Sequence, residues 1–399
     1  MIILLAWSQG EAMMKKWNDT DSSCSSVESD IMIVAFYYIR QQSNTITKRQ
    51  RTFYTPIPKN VWWYQLMVPN LPVDRYRFFF RMIPMQFNYL LSLLLATDDP
   101  LLYKGTTSPE KKLHMYLYMV GNNPYNAEFS DRFAFADPIA VAYDMAKLIN
   151  KDLYKKFVTW PTEAEKQVIK AQFEEFTGFK NIIGAVDGTH MQIIGTGKYK
   201  AGYTSRKCIY AINTTIVCDF NLKVLYASIG CPGSYHDNHV WEYTPVFNNP
   251  DRYFAGHDIL LGDTAYTESQ YIVAPYKAVR HNNSEKATFN YWHARGRVKS
   301  ENTIGLIKGK WKIAGSTIRL KSIAKDVVFI KSIIPVHNIL IHYNQSNQLA
   351  LELEFILAGD NYISDHNEAE TLQQHRPPPR NRISLNAAER KELMRVQKI

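Results

Sequence analysis

Cysteine is scarce in this chain: four among 399 residues, at Cys24, Cys208, Cys218 and Cys231. No two of them form a CxxC pair, which removes a zinc ribbon and a thioredoxin-like redox site from consideration. So few thiols in so long a chain point to a reducing compartment. Long apolar runs are missing too. The stretch Ile31–Ile39, IMIVAFYYI, falls far short of a bilayer span. The opening MIILLAW has no basic n-region and is too short for a signal peptide. We therefore expect a soluble intracellular protein with no membrane partner. No internal repeat, zinc finger or AT-hook is visible.

What is present is apolar and basic. Hydrophobic residues make up 46% of the chain and charged residues only 21%, so most of it is expected to fold, as one large or two ordinary domains. The formal net charge is +10, which favours a polyanionic partner. The excess is local. Between Lys277 and Lys331 there are 13 Lys/Arg against 3 Asp/Glu, so this stretch alone carries the net charge.

Periodicity divides the chain into four parts. Residues 1–65 form a poorly defined segment containing the polar run DTDSSCSSVESD and a weak basic cluster, TKRQR. Residues 66–160 are helical. DRYRFFFRMIPMQFNYLLSLLLAT is interrupted by Pro84, and SPEKKLHMYLYMVG has Ser108 as N-cap and Gly121 at its exit. With NAEFSDRF and ADPIAVAYDMAKLINKDL this predicts a small all-helical, helix-turn-helix-like module over about 108–152. Residues 161–345 are strand-rich first and helical later. Strands are expected at 182–187, 190–194, 209–218, 223–229 and 258–263, with a hairpin turn at Asp219–Asn221. Helices are expected near 237–243, 267–273, 291–313 and 323–343, which gives an α/β layered domain. Residues 346–399 are a polar tail with PPP and a final basic helix, NAAERKELMRVQ.

Few carboxylates interrupt the apolar strands. Asp187 lies in IIGAVDGTH and Asp263 in ILLGDTAY, each beside a glycine. Adjacent strands deliver such side chains to one sheet edge, where paired acids either share a proton or hold a hard cation such as Mg²⁺. A third acid, Glu301, shares a helix face with Arg297 and Lys308 in RGRVKSENTIGLIKGKW. Turn-capping for the aspartates and an i,i+4 ion pair for Glu301 are the ordinary readings. Three acids on strand, strand and helix, the third inside the basic stretch, also fit two-metal phosphoryl transfer. A two-carboxylate glycosidase working without metal is a further alternative, but it leaves the basic stretch unexplained.

The ordered set GAVDGTH, CPGSYHDNHVW, LLGDTAY, ARGRVKSENTIGLIKGKW and VHNILI resembles the transposases of the PIF/Harbinger superfamily over roughly 180–345. Weaker similarity extends upstream, through FRMIPMQFNYLLSLL and SPEKKLHMYLYMVGN. The resemblance implies an RNase H-like mixed sheet flanked by helices. It implies a DDE triad of Asp187, Asp263 and Glu301 binding two Mg²⁺ or Mn²⁺ ions, with Asp187 bridging both. It also implies DNA nicking at an element end followed by attack of the freed 3′-hydroxyl on target DNA, and a nuclear site of action. Family members commonly depend on a Myb-like DNA-binding partner protein. A domesticated DNA-binding protein that no longer cuts is the second reading.

Other residues receive supporting roles. Asp237, in PGSYHDNHVW, is expected to cap the following helix; His236 is placed to orient a carboxylate or contact DNA. His190 should point to the sheet face opposite Asp187, and it and Thr189 are expected to support the site without ligating metal. His337 and Asn338 are expected to satisfy buried backbone on a core helix. Arg206 and Lys207, with Tyr203 nearby, are candidate DNA contacts before a strand. Arg297, Lys299, Lys308 and Lys310 are candidate DNA contacts on the Glu301 helix. The presumed recognition helix ADPIAVAYDMAKLI has two aspartates and one base, a poor set for reading base edges. It suits packing or contact with a second copy better, and a homo-oligomer is among the expected partners.

Overall fold

The computed structural model describes residues 62–194, 200–277, 284–320 and 322–346. The PPP run, the expected C-terminal basic helix and most of the 1–65 segment lie outside these residues. The described residues all belong to one unit beginning at Asn60.

Among the described residues, five helices of two turns or more come first: α1 (Val73–Phe80), α2 (Pro84–Leu95), α3 (Pro109–Asn122), α4 (Asn126–Phe133) and α5 (Pro138–Asp152). Local chemistry sets their starts. Pro84, Pro109 and Pro138 each occupy the first turn, where a missing N–H costs nothing. The Ser108 hydroxyl accepts from the Lys111 N–H at 3.3 Å, and the Asp137 carboxylate from the Ala140 N–H at 3.0 Å. The exit of α3 differs from expectation. The helix runs through Gly121 to Asn122, and Asn123 supplies the left-handed residue, with φ 48°. Gly121 is small for another reason: a Cβ there would lie 2.8 Å from Cγ of Arg81, whose guanidinium donates to the Gly121 carbonyl at 2.9 Å. Among the described residues no single helix is long and apolar enough to cross a membrane.

Next comes α6 (Glu163–Thr177), which the sequence reading did not anticipate. Thr162 and Glu165 form a reciprocal capping box at its start, and Gly178 closes it at φ 74°. Lys166 and Lys170 reach the buried Asp258 at 2.9 and 2.5 Å, fixing α6 to the chain entering the fourth strand.

The sheet has five strands: β1 (Ile182–Gln192), β2 (Ala211–Cys218), β3 (Val224–Pro232), β4 (Ile259–Leu261) and β5 (Ile272–Val273). Their spatial order is β3-β2-β1-β4-β5, with β1 central. The β3-β2-β1 side is antiparallel, and β1, β4 and β5 run parallel. Two expectations change here. The separate strands at 182–187 and 190–194 are one strand, because pairing with β2 continues unbroken from Ala185 to Gln192. The expected helix at 267–273 is absent. Ser269 Oγ accepts from the N–H groups of Tyr271 and Ile272, turning the chain so that Ile272 and Val273 pair with Leu260 and Leu261.

Between β3 and β4 lies α7 (Asp237–Glu242); after β5 come α8 (Ser284–Lys310) and α9 (Ile323–Ser346). On one sheet face, Ala185 and Cys218 pack against Ile169 and Phe173 of α6 and Phe289 of α8. On the other, Ile183, Val186 and Val217 pack against Trp241 of α7. The expected single helix over 291–313 starts earlier and breaks at Trp311, whose ring is fully buried; Lys312–Gly315 then folds back as a short turn. The Asn338 side chain accepts from the Val224 N–H at 2.8 Å and donates to the carbonyls of Val224 and Phe157. His337 Nε2 contacts the Leu222 carbonyl at 2.9 Å, so both side chains satisfy buried backbone.

Among the described residues, apolar packing continues across residue 160. One apolar cluster joins Phe80, Leu117 and Ile149 of the helices to Ile212 and Ile216 of β2 and Ile333 of α9. The presumed recognition helix, α5, places Ala142, Met145, Leu148 and Ile149 in this cluster's buried shell, while its exposed Asp144 pairs with Lys147 at 2.6 Å. Its apolar face is used in packing.

Candidate active site

The pleat of β1 sends alternate residues to opposite faces. Asp187 pairs with Ile216 and shares the face covered by α6 and α8; Gly188 and His190 pair with Thr215 and Asn213 on the α7 side. His190 thus lies on the face opposite Asp187.

The Asp187 carboxylate is set by few contacts. Its Oδ1 accepts the Gly188 N–H at 2.8 Å, and its Oδ2 lies 3.6 Å from Nη1 of Arg297. The other Arg297 nitrogen, Nη2, is 2.5 Å from Glu301 Oε1. One guanidinium therefore joins the β1 acid to the α8 acid. Asp263 comes two residues after β4, and its Oδ1 accepts the Ala265 N–H at 2.8 Å, so it does shape a turn. Burial raises the Asp187 carboxyl to about 6, although Arg297 and the Gly188 N–H pull the other way; the charges of Asp263 and Glu301 add to the rise. Asp263, at the exit of β4, and Glu301, on α8, thus both act electrostatically on Asp187 of β1. Among the described residues, no group of three His, Cys, Asp or Glu side chains forms a ready-made metal cage. Glu301 is turned to Arg297, and it is an exposed side chain. The donor set nevertheless suits a hard cation: three carboxylates, one of them held above its ordinary range, with Arg297 standing where positive charge is needed.

Behind the strand, Asp237 departs from the expected capping role. It is the first residue of α7, and the N-cap position, His236, makes no side-chain capping bond. Instead Asp237 Oδ1 accepts from Asn213 Nδ2 at 2.9 Å, and its carboxyl lies directly against Gly188; any larger residue there would collide with it. Tyr266 was not foreseen as part of the site. Its ring is buried, and its hydroxyl is pushed well above the phenol range by burial, then by the charges of Asp237, Asp187 and Asp263. The signal was its place three residues after Asp263 in LLGDTAY. Asn213, a polar residue in the wholly buried strand AINTTIVC, was the corresponding signal for the Asp237 anchor.

The basic candidates separate. Lys308 donates to the His190 carbonyl at 3.0 Å and is lowered by burial and then by Lys207, with Asp187 opposing. Lys308 and Lys207 therefore share the neighbourhood of the acids. Arg206 rests on His236, with Nη2 2.9 Å from Nε2, and is exposed. Lys310 lies at the end of α8, half-buried. Lys299 does not belong with them. Its ammonium sits 3.7 Å over the Phe220 ring and 5.0 Å from that of Phe176, so it braces α8 against α6 and the β2–β3 turn.

Residues 186–340 match the model of the DDE superfamily endonuclease family. The chain carries a DDE superfamily endonuclease domain. The sheet order and flanking helices are those of an RNase H-like DDE domain. The chain is similar to HARBI1 of Rattus norvegicus, named as a candidate nuclease, at 24% identity over 48% of this chain and 56% of that protein. HARBI1 of Homo sapiens is 23% identical over the same shares. The Arabidopsis thaliana protein Antagonist of Like Heterochromatin Protein 1 is 21% identical over 71% of this chain and 77% of its own length. The chain thus spans little more than half the length of the two HARBI1 proteins. No solved structure matches it.

Proposed function

We propose that this chain is a transposase-type DNA endonuclease in which Asp187, Asp263 and Glu301 hold divalent metal, Mg²⁺ or Mn²⁺, and that it cuts DNA in the nucleus by phosphodiester hydrolysis. The observation that carries the reading is that Asp263, from the β4 exit, and Glu301, from α8, both act on Asp187 of β1, with Arg297 bridging Asp187 and Glu301. Bound metal would polarise the scissile phosphate and activate the attacking oxygen. The chain's own residues prepare the site. Desolvation keeps Asp187 strongly basic for a carboxylate and ready to take up a cation. Arg297 balances the negative charge until then and is afterwards available to a phosphate oxygen. Lys207 and Lys308 supply positive charge beside the acids, and Arg206 extends it outward. Strand transfer by the freed 3′-hydroxyl uses the same site a second time.

The poor base-reading potential of α5, spent on packing, favours a separate Myb-like protein for recognition of element ends. The second reading, a domesticated DNA-binding protein, draws support from the Arg297–Glu301 pair, which engages one of the three acids. A nicking assay on supercoiled plasmid decides between them. The account expects Mg²⁺- or Mn²⁺-dependent cleavage, lost by on the order of a thousandfold in Asp187→Ala, Asp263→Ala or Glu301→Ala. Salt-sensitive binding without cleavage would establish the second reading. Oligosaccharide hydrolysis in EDTA would overturn both.

A further inference from the structure

The outer surface of α7 and its flanks carries three aromatic rings. Tyr235, His239 and Tyr243 are spaced four residues apart on α7 and its flanks, so they share one helix face. Ring centroids are 5.1 Å apart for Tyr235–His239 and 4.8 Å for His239–Tyr243; Tyr235 and Tyr243 lie 6.5 Å apart with planes 29° from parallel. Tyr235 is 39% and Tyr243 64% exposed. The helix anchors itself with other side chains, Val240 and Trp241, on its buried face. The ladder is therefore an ordered apolar surface left open to water.

Its neighbours say what it faces. Asp237, at the start of α7, lies against Gly188, next to Asp187. Asn238 Oδ1 accepts the Thr267 N–H at 2.8 Å in the loop that follows Asp263. The ladder thus rides on a helix tied to both acid-bearing strands. One flank is cationic, with Arg206 against His236 and Lys207 adjacent in sequence. Of the two acids on this helix, Asp237 is turned to Asn213, and Glu242 is engaged by His239 at 3.5 Å and by Asn238 at 2.7 Å.

We infer that the Tyr235–His239–Tyr243 ladder binds an unpaired nucleobase of the DNA strand held at the acids. Stacked rings with a basic flank are the chemistry that takes single-stranded bases, since every base offers a π-face while phosphates need the cations. Duplex DNA keeps its bases inside, so the ladder selects ends, nicks or melted positions. The inference rests on the DNA-cleavage reading and deepens it.

The test uses the full chain in EDTA, so that no strand is cut. Fluorescence anisotropy compares a blunt duplex with the same duplex bearing a short single-stranded tail, and 2-aminopurine in the tail reports stacking by quenching. We expect the tailed duplex to bind about tenfold more tightly and the 2-aminopurine to be quenched. The double variant Tyr235→Ala/Tyr243→Ala should lose the preference and the quenching but still bind blunt duplex. Tyr235→Phe/Tyr243→Phe should keep both. Equal affinity for the two DNAs with no quenching, or a preference that survives the alanine pair, would overturn the ladder alone if metal-dependent nicking persists. Failure to bind either DNA would overturn it together with the cleavage reading. The quenching in the unaltered chain stands even if the alanine pair does not fold.

Discussion

His114 and Asp187 are both titratable side chains drawn out of water, and their surroundings could hardly differ more. His114, inside the helical layer, is met on every side. Tyr76 Oη is 2.8 Å from Nε2, the Glu110 carbonyl is 3.0 Å and Tyr64 Oη 3.3 Å from Nδ1, and Phe87 stacks on the ring at a centroid distance of 4.1 Å. Burial holds its imidazole down to about 4, so it serves as a neutral part of the core. Asp187 has one backbone donor and a guanidinium at 3.6 Å, and two further carboxylates press on it. A buried polar group whose bonds are complete explains itself structurally; one left short of positive charge points to something that arrives later.

The contrast predicts opposite responses to mutation. His114→Ala removes a packed ring and orphans two tyrosine hydroxyls, and should lower stability by about 3 kcal/mol in urea unfolding, with DNA cleavage by the folded fraction unchanged. A loss below about 1 kcal/mol would show that the helical layer is not the closed network described. Asp187→Asn should do the reverse. A carboxyl raised to about 6 binds protons in the native state at pH values where the unfolded chain has released them. Its contribution is therefore best below pH 4 and is lost as pH rises through 6. In EDTA the variant should gain on the order of 2 kcal/mol at pH 8 and nothing near pH 4, while cleavage disappears. Destabilisation at pH 8 would mean that Asp187 is a structural acid.

The smallest effects distinguish two lysines of like charge. Lys207→Met should reduce the salt dependence of DNA binding by about one unit of slope and leave stability unchanged. Lys299→Met should leave the slope unchanged and cost about 0.5–1 kcal/mol through the lost contacts with Phe220 and Phe176. Equal salt slopes for the two variants would erase the distinction.

Much of this geometry could be read in the sequence because it is local. VDGTH, the hairpin at Asp219–Asn221 and the cap at Ser108 follow from alternation and turn chemistry, and the pleat alone sends His190 and Asp187 to opposite faces. What escaped depends on distant partners. Ile272 and Val273 become a strand only because β4 offers an edge, and Asp237 turns from its own helix to Asn213 and Gly188. Lys299 meets Phe220, far away in sequence. Helix α6 is different: its Thr162–Glu165 capping box is a local signal that stands in the sequence itself.

The most direct measurement is a crystal of the chain soaked in Mn²⁺, read by anomalous scattering. The account predicts manganese bound by Asp187, Asp263 and Glu301, with Arg297 released from Glu301. An Arg297–Glu301 pair that persists in saturating Mn²⁺, with no peak at Asp187, would contradict it.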